Sequence, residues 1–143
     1  MTNECVFCSV KSNSEKVIYE SERCYVIPSK YPVSKGHLLV LPKEHYVDLS
    51  DTPGGVLGEM MLIAREFDRI TESIFNAVGV GNIMNNGAAA DQKIFHAHMH
   101  VIPLYNNENY YRVKNGEYWG NEISEEESLE YDKIKEMAKA IEL

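Results

Sequence analysis

Gln92-Lys93-Ile94-Phe95-His96-Ala97-His98-Met99-His100-Val101-Ile102-Pro103 sets three of the chain's five histidines at alternate positions of one short run. Side chains alternate across a strand, so a strand over Phe95 to Ile102 puts His96, His98 and His100 on one face, about 6.6 Å apart along the backbone. Ala97, Met99 and Val101 then take the opposite face, toward a core. A single histidine so placed is an ordinary polar residue on a half-exposed strand. Three within five residues read as a site. One chemistry for such a site is catalytic zinc, which a His-x-His pair and a third imidazole can hold. A dinuclear hydrolase would want acidic ligands as well, and near the triad only Asp91 is offered.

The run fits into a pattern of strands and one long helix. Lys16 to Glu20 and Cys24 to Ile27 read as a hairpin around Ser21-Glu22-Arg23. His37-Leu38-Leu39-Val40-Leu41 is a continuous apolar run ended by Pro42, as expected of a central strand. From Pro53 to Val78 the residues Leu57, Met60, Met61, Ala64, Phe67, Ile74, Phe75 and Val78 recur mostly at three- and four-residue steps, one face of a long helix that Gly79 and Gly81 break. Val80 to Met84 reads as a fourth strand before the turn Asn85-Asn86-Gly87, and Phe95 to Ile102 is the fifth, stopped by Pro103. The polar stretch from Asn106 to Glu122 carries Tyr110, Tyr111, Tyr118 and Trp119, and reads as an extra hairpin or an interface segment. Ser124-Glu125-Glu126-Glu127 resembles a capping box opening a final helix, whose Lys133, Lys135 and Lys139 suit the helix dipole. The expected class is α+β: an antiparallel sheet of about five strands flanked by a long helix, with a C-terminal helix. No boundary divides residues 1–143, which read as one domain.

At 143 residues the chain can bury a single sizeable core. Its 44% apolar and 25% charged residues are those of an ordinary soluble globular protein. Twenty-two acidic side chains against fourteen basic give a net charge of -8, which argues against polymeric nucleic acid and anionic membrane as partners. The apolar runs are too short to span a bilayer. Met1 to Cys5 lacks the basic and apolar regions of a signal peptide, so a cytoplasmic location is expected. Three cysteines do not make an even disulfide framework. Cys5-x-x-Cys8 reads as a metal site or a redox dithiol, and Cys24 as an inert buried thiol.

Cys5-Val6-Phe7-Cys8, Gly36-His37-Leu38-Leu39-Val40-Leu41-Pro42-Lys43-Glu44-His45, Asn85-Asn86-Gly87 and the Gln92 to Pro103 run together resemble the histidine-triad (HIT) nucleotide hydrolases and transferases, over about residues 4–105. The His-x-His-x-His run after a Gln is the specific part. The resemblance implies a HIT-like antiparallel sheet flanked by helices, usually dimerised, and a nucleotide substrate processed through a covalent nucleotidyl-histidine. His98 is then the nucleophile, for which a neutral imidazole suits, with its other nitrogen oriented by a backbone carbonyl. His100 would stabilise charge on the phosphate, and His37 would support the pocket from the neighbouring strand.

In the related uridylyl transferases a Cys-x-x-Cys, a histidine after the Pro-Lys turn and the first triad histidine bind zinc. The positions here are Cys5, Cys8, His45 and His96, a closed tetrahedral set whose metal would be structural. Asn85 and Gln92 match positions that touch phosphate or leaving group, and Lys93 would add positive charge there. Ser29 stands where many members hold the ribose with an acid or amide, Asp91 where many have Gly, and Leu104 where many have Arg. The reaction implied is release of a nucleoside monophosphate from a phosphoanhydride or phosphoramidate. The alternatives are transfer of the same nucleotidyl group to phosphate or a sugar phosphate, and a non-catalytic nucleotide-binding module. A homodimer is expected, and the C-terminal segment would either complete the partner's active site or pack on its own domain.

Overall fold

The computed structural model describes residues 5–12, 14–105 and 125–143. Five strands, β1 (Tyr19–Glu20), β2 (Cys24–Pro28), β3 (Leu38–Pro42), β4 (Gly79–Ile83) and β5 (Met99–Leu104), form one antiparallel sheet in the order β1-β2-β3-β5-β4. Helix α1 (Gly54–Phe75) covers one face, and α2 (Glu125–Ala138) packs beside it. The α+β class and the strand count follow the expectation from sequence.

The central strands are apolar on both faces because both faces are covered. Val26, Leu38, Val40, Met99 and Val101 meet Met60, Ile63, Ala64 and Phe67 of α1, and Tyr131 and Ile134 of α2 join that layer. On the other face Tyr25, Ile27, Leu39 and Leu41 meet Phe7 and Val10 from the N-terminal turns. The histidine-bearing face is therefore roofed over its β2–β3 half by the N-terminal segment, where the pattern of the sequence suggested an open surface.

Several element boundaries differ from the expectation: β1 is only Tyr19–Glu20, because Ser14–Lys16 form a 3-10 turn, and β4 starts at Gly79 and stops at Ile83. The helix ends at Phe75 instead of running to Val78, because Asn76 adopts the left-handed conformation (φ 58°), which an Asn tolerates and which terminates helices. Its buried stripe runs Val56, Met60, Ile63, Ala64, Phe67, Ile70, Thr71 and Phe75, leaving Met61 and Val78 exposed. The fifth strand begins at Met99, not Phe95, because the preceding backbone bonds elsewhere: the Ala97 N–H donates to the Tyr46 carbonyl at 2.6 Å. It also runs through Pro103. β3 pairs with β5 only as far as Val101, so Pro103 has β4 as its single neighbour, and a missing N–H is tolerated there. Tyr110, Tyr111, Tyr118, Trp119 and the Ser124 cap lie outside the described residues.

Candidate functional site

The three triad rings stand in a row, His96 and His98 both against Phe7 and His98 against His100, but their hydrogen-bond partners differ. His96 precedes β5, is fully buried, and donates from Nε2 to the Pro42 carbonyl at 2.8 Å, which leaves the lone pair on Nδ1. That nitrogen faces the Cys5 and Cys8 sulfurs, each at 3.5 Å, while His45 Nδ1 lies 3.2 Å from Cys8 Sγ. The four ligand atoms all lie within 4.8 Å of one another. An ion about 2.3 Å from sulfur and about 2.0 Å from nitrogen, tetrahedrally bound, separates adjacent sulfur and nitrogen atoms by about 3.5 Å. The spacing fits, and these four residues could hold a metal ion. The Cys5–Cys8 turn, closed by a bond from Cys8 N–H to the Cys5 carbonyl, brings both thiols to the same side. By accepting the Nε2 proton, the Pro42 carbonyl fixes the His96 tautomer that such an ion requires.

His98 and His100 face a cleft of about 540 Å³. His98 Nδ1 donates to the His96 carbonyl at 2.7 Å, so its lone pair is on Nε2. The edge of Phe7, with ring centroids 5.0 Å apart, packs on the His98 ring. Burial holds His98 below the usual histidine value, against the opposing effect of the His96 carbonyl, so the ring is neutral near pH 7.

A directed chain of hydrogen bonds fixes the tautomers of the other two rings. The Val33 N–H donates to His37 Nδ1 at 3.1 Å, so the His37 proton sits on Nε2. His37 Nε2 then donates to His100 Nδ1 at 2.9 Å, so the His100 proton sits on its own Nε2. His37 is 2% exposed, and burial holds it well below the ordinary histidine value, with His100 and His98 adding to the effect. The Val33 donor comes from the loop before β3, whose Gly36 has φ +88° and lies against the Phe75 ring.

Ser29, His37, Asn85, Lys93, His98 and His100 all line the cleft. Gln92 does not. It is 4% exposed, its Oε1 accepts the Gly87 N–H at 2.7 Å, and its Nε2 donates to the Val47 and Ile94 carbonyls. It braces the loop behind the site. Lys93 pairs with Asp91 at 2.7 Å, and Asp91 has φ 69°, a left-handed backbone that a glycine would adopt without strain. Sequence reasoning missed Phe7 as a wall of the site, although it stands between the two cysteines. It also missed Lys16, Lys30 and Tyr31, which reach the cleft from the N-terminal turns and from the end of β2. No helix among the described residues is long and apolar enough to cross a membrane.

The HIT domain family profile matches residues 10–107. An adenylylsulfatase, HINT3, from Arabidopsis thaliana is 35% identical over 93% of this chain and 64% of its own length, so the chain spans under two thirds of that relative. A crystal structure of a hypothetical histidine triad nucleotide-binding protein from Sulfolobus tokodaii superimposes with a TM-score of 0.80 at 30% identity, covering 94% of this chain and 92% of that one. A Zn-bound histidine triad family protein from Mycobacterium smegmatis gives 0.76 at 31% identity, covering 96% and 98%.

Proposed function

The chain belongs to the HIT domain family, and from that premise we propose that it is a hydrolase releasing a nucleoside monophosphate from a phosphoanhydride or phosphoramidate through a nucleotidyl adduct on His98. The observation that carries this reading is the bond from His98 Nδ1 to the His96 carbonyl at 2.7 Å. It leaves the Nε2 lone pair for attack on the α-phosphorus, and the carbonyl stabilises the positive charge the ring acquires. The bond from phosphorus to the leaving group breaks as the nitrogen–phosphorus bond forms, and the leaving group takes the electron pair. His100, with its proton held on Nε2 by His37, donates a hydrogen bond to the charge that builds on phosphate oxygen. Water then attacks the phosphorus, His98 departs neutral, and the water's proton passes to solvent.

The nucleoside is assigned to the apolar end of the cleft, between Phe7, Val10, Ile27 and Leu39, with the Ser29 hydroxyl toward the ribose. Asn85 is a neutral amide donor for the phosphate. Zinc is the ion proposed for Cys5, Cys8, His45 and His96: thiolates and imidazoles are its ligands, and a fully protein-filled shell makes it structural. A homodimer is also proposed. Supporting it, β4 ends the sheet with no further strand beside it among the described residues, and Val78 next to it is 66% exposed. A cytoplasmic setting is consistent with reduced thiols at Cys5, Cys8 and Cys24.

Brief incubation with adenine, guanine and uracil nucleotides, followed by intact-mass and peptide analysis, tests the reaction. A mononucleotide attached at His98 and discharged by water is the expected result. Discharge to phosphate or a sugar phosphate in preference to water would make the protein a transferase. Nucleotide binding with no adduct and no turnover would make it a binding module.

A further inference from the structure

Helix α2 and the histidine cleft lie on opposite faces of the sheet. Tyr131 and Ile134 of α2 belong to the layer that α1 shares with Val40, Met99 and Val101, whereas His37, His98 and His100 line the cleft on the other side. The helix is remote in sequence as well: it starts at Glu125, beyond residue 107 where the HIT domain match ends. A polar contact nevertheless reaches from that layer to a cleft residue. The Tyr131 hydroxyl donates to the His37 carbonyl at 3.2 Å, a buried bond between residues 94 apart in the chain.

The strand register explains why this carbonyl is within reach. β2 and β3 pair as far as Pro28 and Leu38, and the Ser29 N–H continues the ladder by donating to the His37 carbonyl at 3.0 Å. A ladder carbonyl lies in the plane of the sheet and has two lone pairs, so it can take the Ser29 N–H and a second donor from the helical layer. Tyr131 is that donor. It holds the backbone of a residue whose ring stands in the cleft, with Nε2 2.9 Å from His100 Nδ1. The preceding loop is gripped at Lys35 too, whose carbonyl accepts from the Tyr105 hydroxyl at 2.7 Å and whose ammonium pairs with Glu130 at 2.9 Å. That ion pair is partly exposed and holds the loop weakly. The Tyr131 bond is buried, where leaving either partner unmet is costly, so it is the firmer anchor.

Resting on the reaction proposed above, we infer that Tyr131 is a positioning residue for it: by holding the His37 carbonyl from behind the sheet, it sets where the His37 ring stands against His100. Helix α2 is then part of the working site although none of its described residues lines the cleft.

The test uses the full chain and compares Tyr131→Phe, which removes only the hydroxyl, with Ile134→Val, which removes one methyl from a fully buried residue further along α2. A buried hydrogen bond and a buried methyl contribute similarly to stability, so the two variants should lower Tm by a similar few degrees. Imidazole nitrogen spectra taken without substrate should show the His37 and His100 resonances moved in Tyr131→Phe and unmoved in Ile134→Val. Rapid-quench measurement should show adduct formation at His98 slowed about tenfold in Tyr131→Phe, against the roughly hundredfold that a 1 Å misplacement costs, and by less than about twofold in Ile134→Val. The dissociation constants of adenine, guanine and uracil nucleoside monophosphates should move by less than about twofold in both, because the apolar walls belong to β2, β3 and the N-terminal turns. Unmoved resonances in Tyr131→Phe, the same slowing in both variants, or a loss of affinity that accounts for the slowing would each overturn the inference. If the unaltered protein forms no adduct, the reaction fails by itself and the spectra still decide: moved resonances in Tyr131→Phe alone support its hold on His37, and unmoved ones overturn it.

Discussion

The carbonyl of His96 accepts the Nδ1 proton of His98 at 2.7 Å, so the residue that faces the two cysteines through its ring sets the tautomer of its neighbour through its backbone. The candidate metal site and the candidate nucleophile are thereby mechanically joined within three residues. Disturbing one should be felt at the other.

Removing the metal is the first expectation. A site held at a hundredfold above its dissociation constant contributes about 2.7 kcal/mol. For a chain of this size that corresponds to a fall of about 8 °C in Tm. Cys8→Ser and treatment with a chelator should each produce such a fall, with zinc lost on elemental analysis. A chelator that strips the metal and leaves Tm unchanged would remove the structural role.

The two cleft histidines should fail differently. His98→Gln deletes the nucleophile and should abolish the adduct. His100→Gln retains the nucleophile and removes a donor aimed at developing charge, which costs on the order of 10²- to 10³-fold. Rapid-quench measurement of adduct formation distinguishes them: none in the first variant, slow but complete in the second.

How much of this was legible in the sequence depends on which force decided each feature. The apolar runs in β2 and β3 and the steps through Met60, Ala64, Phe67 and Phe75 announce themselves because burial alone fixes them, while the exposed Met61 and Val78 obscured the stripe's exact line. The alternation at His96, His98 and His100 drew attention to the region where the cleft and the four possible metal ligands lie. It did not show that the ladder starts only at Met99 or that the His96 ring bonds to the Pro42 carbonyl, 54 residues away. Gln92 shows the same limit from the other side: its amide is absorbed by backbone at Gly87, Val47 and Ile94, partners that only the folded loop brings near. Periodicity reports what is buried. Long-range hydrogen bonds decide where the polar atoms end up.

Cys24 should be chemically silent. Burial, with the Glu59 carboxylate adding to it, pushes its thiol up to about 12. At pH 8 its thiolate fraction is then on the order of 10⁻⁴, against roughly a quarter for an ordinary cysteine. Iodoacetamide treatment of the chelated, folded protein should label Cys5 and Cys8 by peptide mapping, and Cys24 only after denaturant is added. Labelling of Cys24 at a comparable rate in the folded state would contradict its burial.

Gly36→Ala tests the loop that supplies the Val33 donor. A Cβ there would lie 2.7 and 2.8 Å from two ring atoms of Phe75, in a backbone with φ +88° that alanine rarely adopts. The substitution should destabilise the protein by about 1–3 kcal/mol in denaturant titration. Because the displaced loop carries Val33, it should also loosen the His37–His100 bond, seen as altered imidazole nitrogen shifts. A neutral effect on stability would show that the loop yields without cost.

Finally, His37 makes stability depend on pH in a definite direction. Its folded-state value lies well below the ordinary 6.5, because burial and the facing His100 and His98 rings oppose its charge. The unfolded chain therefore binds this proton first as pH falls. The contribution of His37 is fully present above about pH 6.5 and is lost progressively below it, at a slope approaching about 1.4 kcal/mol per pH unit. Protonation would also place a hydrogen on Nδ1, where the Val33 N–H already points, so the relay to His100 fails by the same event. Between pH 7.5 and 5.5 the unaltered protein should lose about 1 kcal/mol more than His37→Gln, the subtraction cancelling the shared titration of His96 and His98. Equal losses in the two proteins would mean that His37 is protonated as easily folded as unfolded, and the directed chain from Val33 to His100 would have to be abandoned.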